Sequence, residues 1–141
     1  MDKQEKRIMD ILDEECEDDC ETNDKNFIKY YSYLKDNTTF PCLLTGIEDF
    51  QWEERYVFGG ENQKEYEKLK KTNPSYSDVF ELIKFFGPDE DVDEDGDLFI
   101  EVKRVSDKKV FKLGLSWLKC TDSKSKNYQL LDDFAVWQCN Y

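Results

Sequence analysis

The sequence predicts an α+β fold, with helices in the first quarter of the chain and short strands in the remainder. In residues 1–36, apolar side chains recur every three or four positions, as on one face of an amphipathic helix. In residues 37–141, short runs of β-branched and aromatic residues alternate with turn-forming residues. The 141 residues suit one domain, and a hydrophobic content of 38% can fill one core. We therefore expect a single domain over residues 1–141, with a helical N-terminal segment and a β-rich core.

Two helices are predicted in the N-terminal segment. The first covers residues 2–20, where Ile8 and Leu12 lie on the same apolar face. The second covers residues 23–36, and Asn23 is suited to be its N-cap. Both helices are expected to pack their apolar faces against the β-rich core.

The rest of the chain predicts about five short strands. The clearest signal is a β-hairpin, in which Leu98, Ile100 and Val102 alternate with other residues before a turn at residues 106–109. The charged insert at residues 61–71 is expected to be helical. Further strands are predicted at residues 40–47, 55–58, 78–86, 110–115 and 134–140.

A one-turn helix is predicted at residues 115–120, and a turn at residues 130–133 precedes the last predicted strand. Short strands with a one-turn helix before the last of them are typical of small, strongly bent barrels. We therefore predict an SH3-like β-barrel of about five strands, with the N-terminal helices packed against it.

The chain is strongly acidic. It has 33 Asp and Glu against 20 Lys and Arg, a formal net charge of −13, and no His. Binding to a phosphate backbone needs clustered Lys and Arg, so the charge argues against a nucleic-acid partner. The absence of His removes the commonest zinc and copper ligand, which leaves hard cations that prefer oxygen ligands. A basic protein is the other class of partner that this charge favours.

The cysteine pattern and the hydropathy predict a cytoplasmic protein. An odd count of five cysteines, with no charged-then-apolar leader, argues against a secreted disulfide framework. Cys16 and Cys20 could face a soft metal from one helix, but no second close pair completes a tetrahedral site. The cysteines are therefore expected to be buried or idle thiols. No apolar run is long enough to cross a membrane.

The most informative stretch is the acidic segment, residues 89–97, which contains seven carboxylates. Alternating carboxylates followed by a glycine match the first half of an EF-hand loop, namely Asp91, Asp93, Asp95 and Gly96. The bidentate Glu of an EF-hand is replaced by Val102, and Glu101 lies one residue early. Two interpretations stay open: a calcium loop that feeds a strand, with Asp97 and Glu101 among its ligands, or a solvated acidic loop that binds ions diffusely.

Two further acidic clusters are candidate metal ligands because they adjoin bulky apolar residues that would hold them in place. The first surrounds Phe50 and Trp52, and the second precedes the last predicted strand. Their members are Glu48, Asp49, Glu53 and Glu54 in the first cluster, and Asp132 and Asp133 in the second. The alternative is that these acids cap turns or line an exposed edge.

Three motifs resemble the small acidic calcium-binding proteins of bacteria, the cyanobacterial or CcbP-like type. They are FPCLLTGIEDFQWEERYVFGG at residues 40–60, the acidic segment with its hairpin through LSWLKC, and NYQLLDDFAVWQCNY at residues 127–141. The resemblance covers roughly the C-terminal two-thirds of the chain, and the charged insert at residues 61–71 is unusual for the family. It implies reversible Ca²⁺ binding through carboxylates, no catalytic activity, and a role as a buffer or in signalling.

The sequence thus predicts a non-enzymatic protein that binds Ca²⁺ in preference to Mg²⁺, since flexible acidic loops tolerate irregular coordination. The alternative hypothesis is an interaction module, in which Trp52, Tyr56 and Trp117 form an aromatic surface that binds a basic protein. An enzyme is the weakest hypothesis. Asp132 and Asp133 would point to opposite faces of a strand, and no nucleophile and base are recognisable as a pair.

Overall fold

The computed structural model describes residues 2–12, 20–87 and 97–141. In these ranges the protein has five strands and five α-helices, which confirms the α+β class. The strands are β1 Leu43–Gly46, β2 Phe80–Phe85, β3 Phe99–Arg104, β4 Val110–Gly114 and β5 Leu118–Cys120. The helices are α1 Lys3–Leu12, α2 Asp24–Asn37, α3 Glu54–Val57, α4 Gln63–Leu69 and α5 Lys126–Asn140. Single 3₁₀ turns lie at Gln51–Glu53 and Leu115–Trp117.

The strands form one antiparallel sheet in the order β4-β3-β2-β1-β5. Ile100 in β3 pairs with Phe85 in β2 and with Leu113 in β4, so β3 lies between its two neighbours in sequence. Strand β1 pairs with β2 on one side and with β5 on the other. The pairings of the described strands leave β4 and β5 as edges, so closure into the predicted SH3-like barrel is not confirmed.

Several predicted elements are confirmed. Helix α2 begins after Asn23, whose side chain accepts a hydrogen bond from Asn26 N at 2.9 Å as an N-cap does. The hairpin of β3 and β4, the strand β2 and the helix α4 also lie where the sequence predicts them. Of the one-turn helix predicted at residues 115–120, only Leu115–Trp117 is helical, and Leu118–Cys120 forms β5. Helix α1 ends at Leu12, residues 13–19 of the predicted helix lie outside the described residues, and Cys20 is not helical.

Two strand predictions are wrong. Residues 55–58 lie largely in helix α3. Only Tyr56 of this helix is buried, and one buried residue per turn suits a surface helix, whereas a strand would bury every second residue. The turn at residues 130–133 and the strand at residues 134–140 are replaced by helix α5. Its buried apolar residues follow the helical period, at positions Leu130, Leu131, Phe134 and Trp137. The last strand of the sheet is instead β5.

Helices α1, α2 and α5 share one hydrophobic core with the sheet. Trp137 of α5 is fully buried, and its ring stacks on Tyr30 of α2 with centroids 4.8 Å apart. The Trp137 indole donates a hydrogen bond to the Cys20 carbonyl at 2.7 Å, which ties the chain before α2 to α5. None of the helices in the described ranges is both long and apolar enough to cross a membrane.

The described cysteines agree only partly with the prediction of buried or idle thiols. Cys42 and Cys120 are buried and free, and burial raises the pKa of the Cys42 thiol to about 12. Cys139 is free and exposed. Cys20 is buried but disulfide-bonded, so the thiol prediction is wrong at this residue.

Candidate metal-binding site

Asp97 is the described end of the acidic segment, and it is buried, with 2% of its surface exposed. Its Oδ1 accepts a hydrogen bond from Leu98 N at 2.8 Å, and its Oδ2 accepts one from Ser116 Oγ at 2.6 Å. Ser116 lies in the 3₁₀ turn between β4 and β5, so Asp97 fixes the start of β3 to that turn. Three other predicted ligands of the segment lie outside the described residues, namely Asp91, Asp93 and Asp95.

A glycine makes room for this carboxylate. A Cβ placed on Gly114 would lie 2.5 Å from Asp97 Oδ2, which is too close for any side chain to be accommodated without movement. Gly114 is the last residue of β4. The missing side chain therefore allows Asp97 to reach Ser116 across the end of that strand.

Glu101 lies on the outer face of the sheet, between two lysines. In the register of the strands it pairs with Lys84 of β2 on one side and with Lys112 of β4 on the other. Among the described residues, its carboxylate has no hydrogen-bond or ion-pair partner. Glu101 therefore keeps its oxygens available on a face that it shares with positive charge.

The acids of the cluster around Phe50 and Trp52 differ in how deeply they are buried. Glu53 is fully buried, and its Oε2 accepts hydrogen bonds from Phe50 N and Tyr76 N, both at 3.0 Å. Its Oε1 accepts hydrogen bonds from Tyr66 Oη at 2.9 Å and Ser75 Oγ at 2.5 Å. Burial and the hydrogen bond to this carboxylate raise the pKa of Tyr66 to about 12. Of the remaining acids, Glu48 and Glu54 are exposed and Asp49 is half-buried.

The second cluster lies on helix α5 and faces helix α1. Asp133 is 2% exposed and forms a bidentate ion pair with Arg7, whose Nε is 2.8 Å from Oδ2 and whose Nη2 is 3.0 Å from Oδ1. The Gln4 side-chain amide donates to both Asp132 and Asp133 at 2.9 Å. This pair of acids therefore joins two helices, and only Asp132 is exposed.

The predicted ligands do not converge within the described part of the chain. There, no group of three or more Asp, Glu or Cys side chains is placed to hold a metal ion. Glu53 and Asp133 accept hydrogen bonds at both oxygens, and Asp97 anchors one end of the acidic segment. Sequence patterns could not identify the donors Arg7 and Ser116, because each is brought to its carboxylate only by the tertiary fold.

The aromatic residues of the alternative hypothesis do not form one exposed surface. Tyr56 is 2% exposed and stacks on Tyr66 with centroids 5.1 Å apart. The Trp52 indole donates a hydrogen bond to the Pro74 carbonyl at 2.7 Å. Trp117 is the most exposed of the three, at 37%. Trp52 and Trp117 line one pocket together with Phe50, so two of the three aromatic residues share a surface and the buried Tyr56 does not belong to it.

Two solved structures have a similar fold. One is described as the crystal structure of Anabaena CcbP, with a TM-score of 0.57 and 18% identity over 95% of this chain and 87% of that one. The other is described as a calcium binding protein in the calcium-binding form, with a TM-score of 0.57 and 20% identity over 96% of this chain and 89% of that one. No protein-family model matches the sequence, and no curated protein matches it. The likeness over nearly the whole chain confirms, at the level of the fold, the resemblance to CcbP-like proteins that the three motifs predict.

Proposed function

We propose that this chain is a calcium-binding protein without catalytic activity, and that the carboxylates of the acidic segment bind the ion. The main support is the fold that it shares, over 96% of its length, with a solved protein described as being in its calcium-binding form. The seven carboxylates of residues 89–97 supply the oxygen ligands that Ca²⁺ prefers. We further propose a cytoplasmic role as a calcium buffer or in calcium signalling.

The ligands proposed for the ion are the alternating acids Asp91, Asp93, Asp95 and Asp97, with Glu101 as a bidentate candidate. Asp97 supports this assignment because its hydrogen bonds to the 3₁₀ turn fix where the segment joins β3. Glu101 supports it because its carboxylate has no partner among the described residues. Glu53, Asp133 and Asp97 are all buried and accept hydrogen bonds at both oxygens, and of the three only Asp97 belongs to the acidic segment, which is why it is kept among the proposed ligands.

The preference for Ca²⁺ over Mg²⁺ follows from the type of ligand. A run of carboxylates on one loop can supply six to eight oxygens in an irregular arrangement, which Ca²⁺ accepts. Mg²⁺ requires a near-ideal octahedron and gives up its water reluctantly. Drawing the carboxylates together also costs about 1 kcal/mol for each pair of charges about 4 Å apart in water, and a divalent cation offsets that repulsion.

Calorimetric titration with Ca²⁺ in physiological salt tests this function. We expect a saturable heat for the wild type, a much weaker one with Mg²⁺, and at least about a tenfold loss of affinity in a triple Asn variant, or about 1.4 kcal/mol. The triple variant combines Asp91→Asn, Asp93→Asn and Asp95→Asn. The matched control removes three exposed acids elsewhere, by Asp10→Asn, Asp36→Asn and Glu61→Gln.

The control separates a specific site from general attraction to an acidic protein. Equal losses in both triple variants would show diffuse ion binding and contradict the proposed site. Heats of the wild type that match simple dilution up to millimolar Ca²⁺ would refute the proposed function itself.

A further inference from the structure

A cavity of about 450 Å³ lies where helices α1, α2 and α5 meet. Its walls include Arg7 and Asp10 of α1, Tyr33 of α2, and Lys126 and Leu130 of α5. Pockets of this size commonly hold small molecules when a few polar groups converge on an apolar wall. The calcium ligands proposed above do not include any of these residues, so the cavity is a separate candidate site.

The guanidinium of Arg7 is held in a fixed position at this cavity. Asp133, which is 2% exposed, accepts hydrogen bonds from Arg7 Nε at 2.8 Å and from Arg7 Nη2 at 3.0 Å. These bonds use two of the five N–H donors of the guanidinium, and the remaining three have no partner within the described ranges. A guanidinium held from one side by a buried carboxylate can donate to the carboxylate of a ligand from the other side.

Two further charged side chains line the cavity without an ion pair. Neither the carboxylate of Asp10 nor the ammonium of Lys126 has an ion-pair or side-chain hydrogen-bond partner among residues 2–12, 20–87 and 97–141. A ligand with one negative and one positive group complements both of these charges, whereas an anion alone would approach a chain of net charge −13. The charges therefore favour a zwitterion over a simple ion.

The apolar part of the wall has a residue from each of the three helices. The Tyr33 side chain is 37% exposed, Leu130 is 9% exposed, and Ile11 is partly buried against the core. Covering apolar surface of this kind stabilises a complex by about 25 cal/mol for each Å² removed from water. An apolar group on the ligand would provide that cover.

We propose that this cavity binds a free α-amino acid with an apolar side chain. Arg7 and Lys126 hold its carboxylate, and Asp10 holds its ammonium group. The side chain of the amino acid contacts Tyr33 and Leu130. The proposal goes beyond calcium binding and does not depend on it.

Calorimetric titration at pH 6.5 in EDTA tests the proposal with L-phenylalanine, L-leucine and two derivatives of L-phenylalanine. EDTA removes divalent cations, and at this pH an α-amino group, with a pKa of about 7.7–8.0, is protonated. We expect saturable heats for both amino acids. Binding should be at least about tenfold weaker for N-acetyl-L-phenylalanine, which lacks the ammonium group, and for L-phenylalaninamide, which lacks the carboxylate.

Single variants assign each charge to its partner. Asp10→Asn should weaken the binding of L-phenylalanine about tenfold and leave that of N-acetyl-L-phenylalanine unchanged, because the derivative has no ammonium group. Lys126→Met should weaken the binding of L-phenylalanine about three- to tenfold and leave that of L-phenylalaninamide unchanged. The matched controls Asp36→Asn and Lys124→Met remove charges outside the cavity and should change each affinity by less than about twofold. All four replaced side chains are exposed, so the variants should keep the fold.

Three results would overturn the proposal. The first is a wild type whose heats match simple dilution up to millimolar concentrations of either amino acid. The second is equal weakening in the cavity variants and their controls, since general charge would then explain the loss. The third is N-acetyl-L-phenylalanine binding as tightly as L-phenylalanine, which would refute the role of Asp10. None of these measurements involves Ca²⁺, so their failure is distinguishable from failure of the proposed calcium-binding function.

Discussion

Glu53 is a buried carboxylate that stabilises the fold without any positive partner among its hydrogen-bond donors. Its four donors come from the 3₁₀ turn that contains it, from α4 and from the loop before β2. A carboxylate that accepts several hydrogen bonds can remain charged inside a protein because the donors replace water. Glu53 therefore joins three segments that are distant in sequence.

Replacing Glu53 with Gln should lower the free energy of unfolding by about 2–3 kcal/mol. The Gln amide would keep its oxygen toward the backbone N–H groups of Phe50 and Tyr76, and its NH2 group would face the hydroxyls of Tyr66 and Ser75, which would have to reverse their hydrogen bonds and accept. Urea denaturation measures the change, and Glu54→Gln, one residue away and exposed, is the control with an expected effect below about 0.5 kcal/mol. Equal effects for the two variants would contradict the role assigned to Glu53.

Arg104 has a similar role with the opposite charge. It is 3% exposed and forms ion pairs with Asp78 at 2.9 Å and Asp107 at 2.8 Å. Its guanidinium also donates to three backbone carbonyls, those of Lys70, Lys71 and Asn73. The hydrogen bonds from Arg104 lower the pKa of Asp107 to about 2.

This shift predicts how stability depends on pH. Because the pKa of Asp107 is lower in the folded protein than its ordinary value of about 4, its contribution is present above pH 4 and is lost as pH falls toward 2. The Asp107→Asn variant should therefore lose less stability than the wild type between pH 4 and pH 2. Urea unfolding at a series of pH values checks this, with Asp122→Asn as an exposed control. Parallel pH profiles for Asp107→Asn and the wild type would contradict it.

At the scale of elements, helix α1 is attached to α5 by charge as well as by apolar packing. The ion pair of Arg7 with Asp133 is partly exposed on the arginine side, at 34%, and buried on the aspartate side, at 3%. Loss of the charge on Asp133 would leave the Arg7 guanidinium without its bidentate partner. The ion pair between α1 and α5 therefore depends on a single carboxylate of α5, while apolar packing of Ile8 and Leu12 holds the same helix in the core.

We expect Asp133→Asn to lower the free energy of unfolding by about 1–3 kcal/mol, since a buried charge pair is broken from its buried side. Asp132→Asn should change it by less than about 0.5 kcal/mol, because Asp132 is exposed and accepts one hydrogen bond. Proteolysis within α1 should also become faster in Asp133→Asn only. If the two neighbouring variants behave alike, the ion pair does not hold α1 in place.

The two wrongly predicted elements show where local patterns mislead. The C-terminal residues Phe134, Val136 and Trp137 favour a strand by composition, yet apolar positions from Leu130 to Trp137 follow a spacing of three and four that predicts a helix. That spacing was present in the sequence and was the better guide. The β3–β4 hairpin was predictable because its alternation, its turn and its residue types agree.

The candidate site was predictable in composition but not in arrangement. The sequence identified the acidic segment and both further clusters as surplus negative charge. It could not show that Glu53 and Asp133 are occupied by donors, because those donors come from residues up to 129 positions away in sequence.

At the scale of the whole molecule, the helices and the sheet bury their apolar faces in one common core. This supports the proposal that residues 1–141 form a single domain. We expect one cooperative unfolding transition, in which far-ultraviolet circular dichroism and tryptophan fluorescence coincide. Trp137 reports on the helices, while Trp117 ends the 3₁₀ turn directly before β5 and reports on the sheet. Two separated transitions would contradict the single-domain proposal.

The pairing of distant segments has a consequence for how the protein is made. Arg7 pairs with Asp133, which lies 126 residues later in the chain, and the second edge of β1 stays unpaired until β5 has been synthesised. A nascent chain emerging from the ribosome would therefore hold α1 and α2 with part of their apolar faces uncovered until α5 has been synthesised. Native structure should appear only after α5 has left the ribosome, and chaperones that recognise uncovered apolar helices would have the interval between the synthesis of α2 and that of α5 in which to bind.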